Sequence, residues 1–260
     1  MTSTGTDDLL RLWRAEESVV PSGWDFSSLA GRVHEDEVPW DLTAETRRLL
    51  GSASRVLDMG TGGGEHLTTL ADALPSDTTA TEGWEPNLPV ARRALAPLGI
   101  DVVAYDAEAV PAQPMPFEDG RFDLVLARHE AFDAVEVARV LAPGGVLLTQ
   151  QVGGDDAAEA HALFGAPFAY LDMLLPVVAA SVAAAGLEVE ESASWSGETR
   201  FDDVGALVRY FRMVPWDVPK DFGVDRYADV LVDLHRAGPA RGEAFVLTQT
   251  RFWLRATKPD

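Results

Sequence analysis

The sequence predicts an α/β fold built on a doubly wound, mostly parallel sheet, and three observations point there. Strand-like and helix-like segments alternate from about residue 43 to residue 190, the pattern of parallel strands joined by crossover helices. The segment Phe122 to His129, FDLVLARH, is almost continuously apolar, as expected of a strand covered on both faces. Directly after the apolar run beginning at Val56, the stretch Gly60-Thr61-Gly62-Gly63-Gly64 makes a bare turn that leads into helical spacing.

Taken in order, Ser54 to Met59 reads as a buried strand, and Glu65 to Leu74 as a helix stopped by Pro75. Thr78 to Glu82 is strand-like, and Pro86-Asn87 opens a helix through Val90, Ala91, Ala94 and Leu95 that ends near Gly99. Ile100 to Tyr105 makes a third strand, a proline-rich loop runs from Pro111 to Gly120, and Phe122 to His129 is the fourth strand. A helix over residues 135–142, a turn at Pro143-Gly144-Gly145 and a fifth strand over 146–152 follow.

Beyond these, Leu174 to Ala185 reads as a helix capped by Gly186, and Leu187 to Phe201 as a long strand region. Ala244 to Lys258 is a further strand expected to pair beside it. Residues 1–42 are expected to form an N-terminal cap segment, with 43–260 as the main domain and 201–240 as a lid insertion over the ligand edge of the sheet.

At 260 residues and 47% hydrophobic content the chain is long enough for one large domain with a lid. It has no cysteine, which excludes disulfides, thiolate nucleophiles and cysteine zinc sites. The start is acidic and mixed, without the flank and apolar block of a secretory signal, and no apolar run reaches a bilayer's thickness. The expectation is a soluble cytoplasmic protein without membrane partners. With 42 acidic against 21 basic residues the formal charge is −21, which repels a phosphate backbone and disfavours nucleic acid as a partner. Oligomeric state is not readable from these features.

A strand, a glycine turn and a helix start bring backbone N–H groups to face a ligand without steric hindrance. The spacing Gly60-x-Gly62-x-Gly64 differs from the dinucleotide form G-x-G-x-x-G, and Asp58 sits on the strand just before it. A carboxylate there disfavours a pyrophosphate and favours a sulfonium or ammonium group. Two more acids recur at intervals of 24 residues, Glu82 and Asp106, each at the end of the next expected strand. Glu82 is placed to accept hydrogen bonds from ribose hydroxyls, and Asp106 with the backbone of Ala107 to read the edge of an adenine.

The motifs VLDMGTGGG (56–64), TATEGWEPN (79–87), DAEAVPAQPMPFEDGRFDLVLARHE (106–130) and RVLAPGGVLLTQQ (139–151) together resemble those of the class I S-adenosylmethionine-dependent methyltransferases, in the right order over roughly residues 50–155. The resemblance implies a Rossmann-like, seven-stranded sheet with a C-terminal antiparallel hairpin, S-adenosylmethionine over the glycine turn, and methyl transfer to an acceptor held by the outer segments. Carried over by position, Asp58, Gly60, Thr61, Gly62 and Gly64 fall on the methionine-binding turn, Glu82 on the ribose acid, and Asp106 with Ala107 on the adenine contact. Trp84 is placed to pack on the adenine, and Arg128 joins the cofactor-binding residues. TEGWEPN sets the acid one residue further from the proline than the commoner D-x-S-P form, so Glu85 is a rival to Glu82, although strand alternation favours Glu82.

On the acceptor side, His129 at the end of the fourth strand is the candidate catalytic base, with Glu130 to orient it. The rival reading of His129 is a loop residue capping the next helix; His66 reads as a cofactor or solvent contact. One of Gln150 and Gln151 should face the site and the other away. Trp40, Tyr210, Phe211, Arg212 and Trp216 are read either as an acceptor pocket or as the packing of a lid. His34-Glu35-Asp36-Glu37 is read as a solvated acidic loop rather than a metal site, because four consecutive positions cannot converge on one ion in regular structure. No metal is expected.

The exit ARHEAF departs from the N-P-P-Y type of enzymes that methylate adenine or glutamine amides. A small-molecule acceptor follows, with O-methylation slightly preferred on the strength of His129. The alternative is a non-catalytic S-adenosylmethionine-binding module serving regulation or assembly.

Overall fold

The computed structural model describes residues 5–20 and 26–260; the remainder of the expected N-terminal cap, residues 1–4 and 21–25, lies outside the described residues. The strands are β1 (Val33–Glu35), β2 (Arg55–Met59), β3 (Asp77–Glu82), β4 (Asp101–Ala104), β5 (Phe122–Arg128), β6 (Leu141–Val152), β7 (Glu188–Phe201) and β8 (Phe245–Thr257). The helices are α1 (Thr6–Glu17), α2 (Leu42–Leu50), α3 (Glu65–Thr69), α4 (Leu88–Leu95), α5 (Ala134–Val140), α6 (Ala158–Phe164), α7 (Leu175–Ala184), α8 (Val204–Met213) and α9 (Ala228–Ala237). One eight-stranded sheet has the order β1-β7-β8-β6-β5-β2-β3-β4. Strands β4, β3, β2, β5 and β6 are parallel, β8 is antiparallel to β6, and β7 with β8 forms the expected antiparallel hairpin.

The chain divides into two compact units. One comprises Pro39–Gly153, Asp172–Trp195 and Arg251–Asp260. Here β2 leads to β3 and β4 on one side, and the chain then returns to place β5 on the other side of β2. That reversal is the topological switch point, where open α/β sheets bind ligands beyond the carboxyl ends of their strands. Val56, Leu57, Phe122, Val125 and Leu147 are fully enclosed, which explains the unbroken apolar runs of the central strands. Asp41 and Asp133 cap α2 and α5, their carboxylates accepting from Ala44 and Val135 amides at 2.8 Å in each case.

Three expectations in this unit are corrected. Helix α3 ends at Thr69, five residues short of Leu74, because the Thr68 and Thr69 hydroxyls donate back to the carbonyls of Gly64 and His66 and the chain tightens at Leu70. Strand β6 begins at Leu141 rather than Val146: Leu141 pairs with Phe122, a register shift follows, and Pro143-Gly144-Gly145 is an irregularity within the strand. The residues with capping function before α5 are Asp133, not His129.

The other unit comprises Met1–Val38, Gly154–Leu171 and Ser196–Thr250. Its core gathers Trp13, Leu29, Phe164, Phe201, Leu207, Phe211 and Leu231, with the edge-on rings of Phe164, Phe211, Phe222 and Tyr227 at its centre. Asp203 caps α8 through the amide of Ala206 and also binds Arg32, whose other branch reaches Glu16 at 2.9 Å. The stretch expected to be an acidic loop is instead the edge strand β1: Val33, His34 and Glu35 pair with Phe201, Arg200 and Thr199. His34 lies 3.0 Å from Asp202, and Asp36 pairs with Arg200 of β7 at 2.8 Å. This strand is the eighth, added to the seven expected. Helix α6 was not read from the sequence; its start lacks a capping side chain, with Ala157 at φ 51°.

Candidate active site

The glycine turn leaves β2 at the switch point and is fixed by two kinds of contact. The amide of Thr61 donates to the Thr81 carbonyl at 2.9 Å, and the amide of Gly62 donates to the Glu82 carboxylate at 2.7 Å. Gly60 and Gly62 have φ of 62° and 63°, a left-handed backbone that side chains with a Cβ adopt at a penalty. Gly64, also left-handed, opens α3.

Glu82 is buried, and its second oxygen accepts from the Trp84 amide at 2.7 Å. Two of the roughly four acceptor positions of a carboxylate are thus used, leaving others for hydroxyl donors. Glu85, by contrast, is exposed, so the structure places Glu82 and not its rival against the glycine turn. The amide of Tyr105 donates to the Glu82 carbonyl, joining the ends of β3 and β4. Asp106 follows at the exposed end of β4, where its carboxylate accepts from the Glu108 amide at 2.8 Å, and Ala107 is half-buried beside it. Trp84 is 50% exposed, a ring presented to solvent rather than to the core.

Across the switch point, β5 delivers Arg128, His129 and Glu130. The Glu130 carboxyl lies so close to the Gly60 backbone that a Cβ on Gly60 would collide with it. Burial pushes Glu130 up to about 8, reinforced by the neighbouring charges of Glu82, Glu108, Asp106 and Asp58. Burial likewise pushes Asp58 up to about 7, although the Thr61 hydroxyl and the Arg128 guanidinium oppose it. Glu82 is raised for the same reason. Arg128 feels Asp58 but is itself lowered by desolvation.

His129 has φ 56°, one of two non-glycine residues in the left-handed region among the described residues. Its amide donates to the Gln150 carbonyl, and its Nε2 lies 3.1 Å from the Gln150 side-chain nitrogen. The Gln150 side-chain oxygen in turn accepts from the Trp40 indole at 2.7 Å. Burial drives His129 down to about 3, with Arg128, Arg251 and His66 adding to the effect; His66 falls to about 4 through burial and Arg128.

The expected cofactor residues Asp58, Gly60, Thr61, Gly62, Gly64, Glu82 and Arg128 therefore lie at or just beyond the ends of β2, β3 and β5, with Trp84 just after β3 and Asp106 and Ala107 just after β4. One expectation changes. Gln150, not Glu130, holds the His129 ring, because Glu130 turns toward Gly60 instead. Gln151, the other glutamine, donates to the Glu130 backbone carbonyl and to the Thr149 hydroxyl, each at 2.8 Å, while Gln150 contacts Trp40 and His129. Of the aromatic pocket candidates, Trp40 joins this chain of contacts. Phe211 and Tyr210 are packed into the core of the other unit, Arg212 is exposed, and Trp216 meets Tyr170 edge-on.

The donor set fits S-adenosylmethionine on the chemistry of its acids. Asp58, Glu82 and Glu130 are desolvated carboxyls of which only Asp58 feels the Arg128 guanidinium, an arrangement that a cation carrying hydroxyl donors would relieve.

Comparison with known proteins agrees. Residues 57–149 match the sequence profile described as "Methyltransferase domain". A search of curated proteins finds no match to this chain. Among solved structures, a candidate methyltransferase from Bacillus halodurans is 20% identical, with 85% of this chain and 100% of that one covered at a TM-score of 0.57. The YcgJ protein from Bacillus subtilis is 19% identical, with 84% and 97% covered at a TM-score of 0.59. A phosphoethanolamine N-methyltransferase from Haemonchus contortus, in complex with S-adenosyl-L-methionine, is 15% identical, with 100% of this chain and 58% of that one covered at a TM-score of 0.50. These likenesses carry the fold. The profile match over residues 57–149 and the shared fold are what the comparisons establish, and they are consistent with the resemblance read from the glycine-turn motifs.

Proposed function

We propose that the chain is an S-adenosylmethionine-dependent methyltransferase acting on a small-molecule acceptor in the cytoplasm. The observation that carries this reading is the ring of desolvated carboxyls, Asp58, Glu82 and Glu130, around a left-handed glycine turn at the switch point. Bound there, the cofactor would supply an electrophilic methyl group on a cationic sulfur.

The chain's own residues have separable tasks. Asp58 and Glu130 would face the positive charge, Glu82 the ribose hydroxyls, and Asp106 with the Ala107 backbone the adenine edge. Trp84 would offer its ring to the base, and Arg128 would neutralise the amino-acid carboxylate. Holding nucleophile and methyl carbon in line without intervening water accounts for much of the acceleration in such a displacement. The acidic composition supports a small acceptor over nucleic acid. Among the described residues no helix is long and apolar enough to cross a membrane.

A second reading, a cofactor-binding module without catalysis, is favoured by one observation: the His129 nitrogen facing Gln150 is already engaged, so it does not serve as a ready base. Calorimetry with S-adenosylmethionine, against NAD as control, tests the part both readings share. Release of S-adenosylhomocysteine with a panel of small acceptors separates them; binding without release across the panel would favour the module.

A further inference from the structure

The contacts around His129 determine more than its position. An indole N–H only donates, so the Gln150 side-chain atom 2.7 Å from Trp40 Nε1 is its carbonyl oxygen. The other arm of the amide, its NH2 group, then faces His129 Nε2 at 3.1 Å and can only donate. His129 Nε2 must therefore carry the lone pair. A neutral imidazole has one proton, which is left on Nδ1. That nitrogen has no hydrogen-bond partner among the described residues, and His129 retains an accessible surface. The other titratable groups whose charge reaches the ring are Arg128, Arg251 and His66, two cations and a neutral imidazole.

We propose that Trp40 and Gln150 lock His129 as the Nδ1–H tautomer, so that it donates a hydrogen bond to an anionic oxygen of the methyl acceptor instead of removing a proton from it. This rests on the methyltransferase reading above and narrows its substrate class to carboxylates and ionised phenols. Such an oxygen needs no base. Its lone pair forms the new O–C bond while the methyl's bond to sulfur breaks and that electron pair stays on sulfur, with no proton released. O-methylation is retained, and the base assigned to His129 is replaced by a donor. Trp40 and Gln150 are then positioning residues.

The left-handed backbone at His129 supplies a discriminating variant. Asparagine tolerates φ near 56°, and its amide donates but cannot act as a base. The experiment is long-range 15N–1H correlation NMR of the imidazoles in wild type, W40F and Q150E, combined with kinetics of H129A and H129N. Wild type should show His129 protonated on Nδ1. Gln150→Glu, whose carboxylate can only accept, should move the proton to Nε2, and Trp40→Phe should give a mixture of tautomers. Wild-type protein protonated on Nε2 overturns the proposal, whether or not methyl transfer is detected. Absence of S-adenosylmethionine binding with the Nδ1–H signature intact would instead overturn the functional reading.

With S-adenosylmethionine and a panel of benzoates and acidic phenols, H129A should raise KM about tenfold, the loss of one charge-assisted hydrogen bond, and H129N at most about threefold. A preference for benzoates or for phenols assigns the source of the anionic oxygen. Equal collapse of kcat in H129A and H129N would show a base and refute the donor role.

Discussion

The carboxyl of Glu130 rests on the bare backbone of Gly60, an acid from the exit of β5 closing over the turn that follows β2. The contact uses both the missing Cβ and the left-handed φ of 62°. Gly60→Ala therefore meets two penalties, about 1–2 kcal/mol for the backbone and a forced displacement of Glu130. S-adenosylmethionine affinity should fall by about tenfold or more by calorimetry, while circular dichroism stays native.

Cofactor binding should depend on pH through the same acids. Asp58 and Glu130 reach about 7 and about 8 in the free protein, so both hold protons in the lower part of that range. A cationic ligand favours their charged forms, so affinity should strengthen as pH rises through 7 and 8 and then level off. Calorimetry at pH 7 in buffers of different ionisation enthalpy should register proton release. Proton uptake would contradict the assignment.

Stability of the free protein should run the other way. The folded pKa of Asp58 lies above its unfolded value, so its contribution is fully present below about 4 and is lost as pH rises through about 7. The loss is on the order of a few kcal/mol for a buried carboxyl shifted this far. Thermal denaturation should show Tm falling across that window, and Asp58→Asn should flatten the fall.

Glu82 accepts from the amides of Gly62 and Trp84, tying the glycine turn to the end of β3. Glu82→Ala leaves two N–H groups without partners and removes the proposed ribose contact, a combined loss of about 2–3 kcal/mol in binding. Glu82→Gln keeps one acceptor oxygen and should recover part of it. Adenosine binding, read by calorimetry, separates the ribose contribution from that of the charged end.

Arg139 holds the proline-rich loop against α5, donating to the carbonyls of Met115 and Phe117 and to the carboxylates of Glu136 and Asp119. Glu136 also accepts from the Met115 amide. Arg139→Ala should destabilise the protein by about 2 kcal/mol in urea unfolding, and Arg139→Lys should recover little, because an ammonium cannot span several acceptors at once. Faster hydrogen exchange at Met115 and Phe117 would locate the loosening.

Much of this protein is legible along the chain. The strands β2 and β5 read directly because burial on both faces leaves nearly continuous apolar runs, β3 reads from its β-branched threonines, and the spacing of Asp58, Glu82 and Asp106 reads because each βα unit consumes a similar length of chain. Helix ends read less well: α3 stops where threonine hydroxyls compete for backbone carbonyls, and α6 begins without a capping residue to announce it. His34 to Glu35 reads as a loop because its pairing partner, β7, lies more than 160 residues away.

By itself the sequence determined the α/β class, the glycine turn and the acids at successive strand ends, all features encoded over one or a few turns of chain. Only the tertiary structure decided that Glu130 covers Gly60, and that Trp40, 110 residues from Gln150, orients the amide that orients His129. Hydrogen-bond direction depends on which donor meets which acceptor. No local pattern of residues specifies that until the sheet has brought distant segments together.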